Sequence, residues 1–146
     1  MVSLETALRL KEFGLEWQPN LHDFFAIPNT TLEGRVFVVS DMMIDVQRLY
    51  GRQMITFNGA VEWSLDYITI AEAVWMPTET QLRKLLQQRL RGKTIPSISL
   101  ESTEQHYTCS LSYRNKPLAF EAKSASDAYA RALLFMIKET NGRSAN

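Results

Sequence analysis

The sequence predicts an α+β protein with a mostly antiparallel central sheet and helices packed on it. Three observations carry this class. A short amphipathic helix, several strand-like segments, a leucine-rich helix, an alternating hairpin and an alanine-rich helix follow one another along 146 residues. Hydrophobic residues make up 45% and charged residues 22%, the balance of an ordinary globular chain. A chain of this length can bury roughly two-thirds of its unfolded surface, so its core needs neither disulfides nor a structural metal. Residues 1–146 read as one domain with a frayed tail over 141–146, because a cut near Arg91–Ser102 would leave only a hairpin and one helix.

Ser3 is a fitting N-cap for a helix reaching about Phe13, and Leu4, Ala7 and Leu8 make its apolar stripe. Gly14 can supply the left-handed residue that stops it. Residues 17–34 contain Pro19, Asn20, Pro28, Asn29 and Gly34, yet Leu21, Phe24, Phe25 and Ile27 argue for a covering segment with a short strand at Phe24–Ile27. Arg35–Ser40 is rich in β-branched and aromatic residues and reads as a strand. Asp41–Tyr50 fits a short helix lined by Met42, Val46 and Leu49, or a second covering loop.

Asn58-Gly59 between apolar flanks is the strongest hairpin signal, since both residues tolerate the positive φ of a type I′ turn. A two-residue loop there would pair Thr56 with Val61 and Met54 with Trp63, leaving both ribbon faces partly apolar. Ile68–Trp75 reads as the next strand, ended by Pro77. Thr78 and Gln81 fit a capping box, followed by Leu82, Leu85, Leu86 and Leu90 on one stripe and by Gly92 as a stop. Tyr107, Cys109, Leu111 and Tyr113 alternate with small polar residues, a turn spans Arg114–Pro117, and Leu118, Phe120 and Ala122 continue the same face. Ser124, with Asp127, starts a final helix whose Ala125, Ala128, Tyr129, Ala132, Leu133, Met136 and Ile137 form a broad apolar face.

Val74–Leu82, a tryptophan–x–proline element opening a leucine-rich helix, and Phe120–Ala128 leading into Ala132-Leu133 resemble small proteins of bacteriophages and prophages of low-GC Gram-positive bacteria. The phage ABA sandwich domain is the family they are similar to, over about residues 1–139. The resemblance implies an α–β–α layered fold and no catalytic residues. Tyr107–Ile137 also has the β–β–α order of a double-stranded-RNA-binding domain, but Ser124-Ala125-Ser126-Asp127 stands where that domain has its lysine cluster.

Cys109 is the sole cysteine, so no internal disulfide forms and a reducing cytoplasm is the expected setting. Charges through the amino end interrupt any signal-peptide core, and no apolar run approaches a membrane span. Two histidines and one cysteine are too few for a zinc centre, so His22, His106 and Cys109 read as structural, and no cofactor or metal is called for. Asp41 with Asp45 and Glu62 with Asp66 are the acidic pairs a metal-dependent hydrolase or nuclease would use, but no other hard-ligand motif supports them and they read as solvated surface. Nucleotide, P-loop, zinc-protease and serine-elbow motifs are lacking.

The total charge is zero but unevenly spread: residues 1–80 carry 5 basic and 11 acidic residues, and residues 81–146 carry 11 and 5. Arg83, Lys84, Arg89, Arg91 and Lys93 concentrate on and after the leucine-rich helix, which reads as its solvated polar face, as a contact for an acidic partner, or as a surface for phosphate. Trp17, Trp63 and Trp75 are the candidate interface aromatics, with Trp17 expected near the surface. The expectation is a non-enzymatic protein that acts by protein contact or self-association, most simply as a homodimer, as a phage or prophage accessory protein. Nucleic-acid binding through the basic helix is the alternative, and a small hydrolase or nuclease the third.

Overall fold

Ser3 starts the first helix as its side chain allows. In the computed structural model, which describes residues 1–32, 34–40, 44–57, 67–92 and 97–144, its hydroxyl accepts the Thr6 N–H and caps α1 (Leu4–Glu12). Gly14 has φ +94°, and the Gly14 and Leu15 N–H groups close on the Lys11 and Leu10 carbonyls, the pairing of a Schellman stop. Ala7 and Leu10 are the buried residues, whereas Leu8 is exposed; the apolar stripe therefore runs one position away from the expected one.

The chain then divides into two compact units, Met1–Leu15 with Pro77–Asn146, and Glu16–Met76. In the first, Thr78 and Gln81 form the capping box of α2 (Glu79–Leu90), with Thr78 N–H donating to Gln81 Oε1 at 2.9 Å. The helix ends on Arg91 in an extended conformation, so Gly92 supplies no left-handed cap. Strands β7 (Ile98–Ser102), β8 (Tyr107–Tyr113) and β9 (Lys116–Ala122) follow in an antiparallel sheet of order β7-β8-β9. The β8–β9 turn contains only Arg114 and Asn115, both at positive φ, because Tyr113 already pairs with Lys116 and Ser112 with Pro117.

Helix α3 (Ala125–Ser144) extends past Asn141, where a frayed tail was expected, and Asn141 Nδ2 donates to the Phe13 carbonyl. It lies on β8 and β9, and α1 and α2 pack on α3. This double contact explains why Ala130 and Leu134 are buried along with the expected face. Ile98, Leu100, Cys109, Leu111, Leu118 and Phe120 share the helix-facing side of the sheet, while Ser99, Ser112, Ala119 and Glu121 on the other side are exposed.

The second unit holds two further antiparallel sheets. β1 (Phe24–Ala26) pairs with β2 (Val36–Val38) and β6 (Val74–Trp75) in the order β2-β1-β6. β4 (Arg52–Phe57) pairs with β3 (Ile44–Leu49) and β5 (Tyr67–Thr69) in the order β3-β4-β5. The α+β antiparallel class therefore stands, with its strands divided over three sheets instead of one centre. Trp17, Phe25, Ile27, Val39, Ile55, Ile68 and Ala73 make the shared core of the unit.

Three expectations are corrected here. The segment ending at Tyr50 is strand from Ile44, neither helix nor loop: β-branched Ile44 and Val46 alternate with polar residues, and a Tyr50-Gly51 turn folds the strand back. Asn58-Gly59, Val61 and Trp63 lie outside the described residues, but Met54 pairs with Thr69 and Thr56 with Tyr67, not with Trp63 and Val61. Ile68–Trp75 is two strands in two sheets; Glu72 accepts from the Thr69 N–H and hydroxyl and fixes the turn that separates them.

Candidate functional site

Four expected site residues are described on or beside α2. At 100° per residue, Arg83, Gln87 and Arg91 form one exposed stripe with Lys84 and Gln88 beside it, opposite the fully buried Leu82 and Leu86. Arg89 is exposed but sits on a different side, and Lys93 lies outside the described residues. The patch is therefore Arg83, Lys84 and Arg91. None of the three is in an ion pair with a described carboxylate.

Of the three tryptophans, Trp17 is 9% exposed, against the expectation of a surface position. Its ring packs on Phe25 at 5.7 Å, and its Nε1–H donates at 2.9 Å to Asp23, which is itself buried and also accepts the Asn20 N–H. An indole with a buried carboxylate partner is a core member, not an interface anchor. Trp75 is half-buried against the same core, and Trp63 is outside the described residues.

Cys109 is fully buried, and burial pushes its thiol up to about 11, the opposite of a nucleophilic cysteine. His106 lies 3.6 Å from Glu121 and hydrogen-bonds Thr103; Glu121 is on the exposed side of the sheet, away from Cys109. His22 is exposed at φ +70° beside the buried Asp23. Among the described residues no three histidine, cysteine or acidic side chains gather to hold a metal. Of the acidic pairs, Asp41, Glu62 and Asp66 lie outside the described residues. The sheet β7-β8-β9 carries an open groove of about 340 Å³ lined by serines and Ala119 together with Leu111, Pro117 and Leu118.

Two exposed features were missed in the sequence. Val36 and Val38 on β2 are 45% and 38% exposed. Their backbone orientation follows from Val39, whose N–H donates to the Asp23 carbonyl at 2.8 Å and whose carbonyl accepts the His22 N–H at 2.7 Å. Backbone groups of successive strand residues turn to opposite sides, so Phe37 turns toward β1 with Val39, and Val36 and Val38 turn outward. The Phe24 carbonyl, facing Met76 N–H at 2.8 Å, obeys the same alternation. Tyr50, at the tip of the β3–β4 hairpin, is 95% exposed.

No family model, curated protein or solved structure matches the chain. The functional reading rests on these surfaces. Among the described residues no helix is long and apolar enough to cross a membrane.

Proposed function

We propose that this is a non-enzymatic contact protein that self-associates through the edge of β2, which pairs with β1 alone among the described strands. One observation carries the reading: in the uncharged strand Val36-Phe37-Val38 the two valines remain exposed and turn their backbone groups away from β1. Natural sheets protect such edges with charge, proline or cover. In the other unit, edge strand β9 has Lys116, Pro117 and Glu121 exposed along it. Edge β2 has none of these between Val36 and Ser40.

Its pattern is also self-complementary. A twofold axis through Phe37 sets Val36 opposite Val38 of a second copy, and both residues already present their N–H and C=O outward. The pairing closes four backbone hydrogen bonds and joins two sheets into one of six strands. Val38→Lys tests it, since an exposed substitution leaves folding within about 0.5 kcal/mol. The wild-type Val36 and Val38 amides should exchange more slowly with solvent as protein concentration rises, and the variant's should not. Equal exchange at all concentrations in both proteins would reject the reading.

The resemblance carried by Val74–Leu82 and Phe120–Ala128 supports a phage or prophage accessory role for such a protein. The exposed Arg83–Gln87–Arg91 stripe favours a second reading, contact of α2 with nucleic acid. Binding through it would weaken steeply with salt and lose slope when Arg83 and Arg91 become glutamine.

A further inference from the structure

The β3–β4 hairpin closes on Leu49 paired with Arg52, leaving Tyr50 and Gly51 at φ +52° and +77° as its two central residues. That turn is cheap for glycine, asparagine and aspartate, and costly for a tyrosine, whose Cβ crowds the backbone at positive φ. The ring returns nothing to the fold, since Tyr50 is almost wholly in solvent. An aromatic kept at a strained, exposed apex points to a contact made outside the chain.

The flanking residues indicate what it touches. Arg48 pairs with Gln53, and Leu49 with Arg52, so the two arginines lie on opposite faces of the ribbon. Both are exposed, and neither is in an ion pair with a described carboxylate. From Val46 to Phe57 the sequence holds these two cations and no acid. An exposed ring at the tip of a ribbon that carries an arginine on each face matches a ligand that alternates aromatic faces with fixed negative charge.

We propose that this tip is a nucleic-acid contact, with the Tyr50 ring stacking on a base and Arg48 and Arg52 binding the phosphates on either side. Base–aromatic stacking is tolerant of sequence, and arginine suits phosphate oxygens through its planar fork. The contact is separate from β2 and does not rest on self-association.

Fluorescence anisotropy of the full chain with a labelled 20-nucleotide thymidine strand and a 20-base-pair duplex tests it. Saturable binding is expected at low salt, with a log–log salt slope of at least about 1.4 on the single strand or about 1.8 on the duplex for two phosphates. The form bound more tightly tells whether the ring meets an open strand or enters a groove. Tyr50→Asn keeps a residue that favours the turn while removing the ring; it should weaken binding roughly tenfold with the slope unchanged. Arg48→Gln and Arg52→Gln should each lower the slope by about 0.7 to 0.9. Absence of binding to either oligonucleotide overturns the proposal. So does a slope that responds to Arg83→Gln and Arg91→Gln but not to the hairpin variants. Equal affinity for poly-glutamate or anionic lipid vesicles, insensitive to Tyr50→Asn, overturns it as well.

Discussion

At the scale of single residues, Asp127 does the most with the least. Its carboxylate accepts the Ser3 N–H at 3.1 Å, the Ser3 hydroxyl at 2.9 Å and the Ser124 hydroxyl at 2.9 Å, so it serves the starts of α1 and α3 together. Burial pushes its carboxyl up, but hydrogen bonds from the Ser3 backbone and from the Ser124, Ser3 and Thr6 hydroxyls outweigh this and hold it below the usual aspartate range. A carboxyl depressed on folding stabilises the native state fully above its ordinary value of about 3.9; that contribution is lost as pH falls through the lower folded-state value. Urea midpoints across this acid range should fall more steeply for the wild type than for Asp127→Asn. The variant should be less stable at neutral pH by about 1 kcal/mol, the typical worth of a cap. Cys109 gives a second check. With a thiol at about 11 and no exposed surface, it should react with a thiol reagent only as the chain unfolds, so labelling should speed up across the urea transition.

Among the elements, the turns separate two kinds of glycine. Gly51 has φ +77° with open space around the place of a Cβ, so Gly51→Ala meets no clash yet should cost about 1 to 2 kcal/mol in backbone strain alone. A Cβ on Gly92 meets only the Leu90 carbonyl oxygen at 4.0 Å, an ordinary contact, and the residue has no positive φ, so Gly92→Ala should be neutral or stabilise by about 0.4 to 1 kcal/mol. Chemical denaturation of the two variants reads the contrast directly. The same division governs what could be read in the sequence. Thr78–Gln81, Ser124–Asp127 and the Tyr107–Ala122 alternation were legible because capping and period-two burial are local. The Tyr50-Gly51 turn was not, because tyrosine is a poor turn residue and Asn58-Gly59 is the stronger turn dipeptide nearby. Sheet division was equally hidden. Met54 and Ile55, on opposite faces of β4, are both buried within the chain. Arg89 left the basic stripe for a plainer reason: a cluster in sequence is not a cluster on a helix until its rotation is counted.

For the whole molecule, the apolar surface that the proposal uses is on β2, where Val36 and Val38 stay exposed beside outward backbone groups. A three-residue edge is a small contact, at the weak end of specific interfaces, so its assembly should be reversible and depend on concentration. This site invites no lysine, and Val38→Lys would set two charges facing a valine edge across the axis, which costs more than one pairing of this length returns. Mass in solution across a dilution series, for the wild type and Val38→Lys side by side, tests the account most directly. The wild type should rise from 16.8 kDa toward a dimer as concentration increases to about 1 mM while the variant stays at 16.8 kDa; a wild-type mass of 16.8 kDa throughout, or a dimer that Val38→Lys leaves intact, would contradict it.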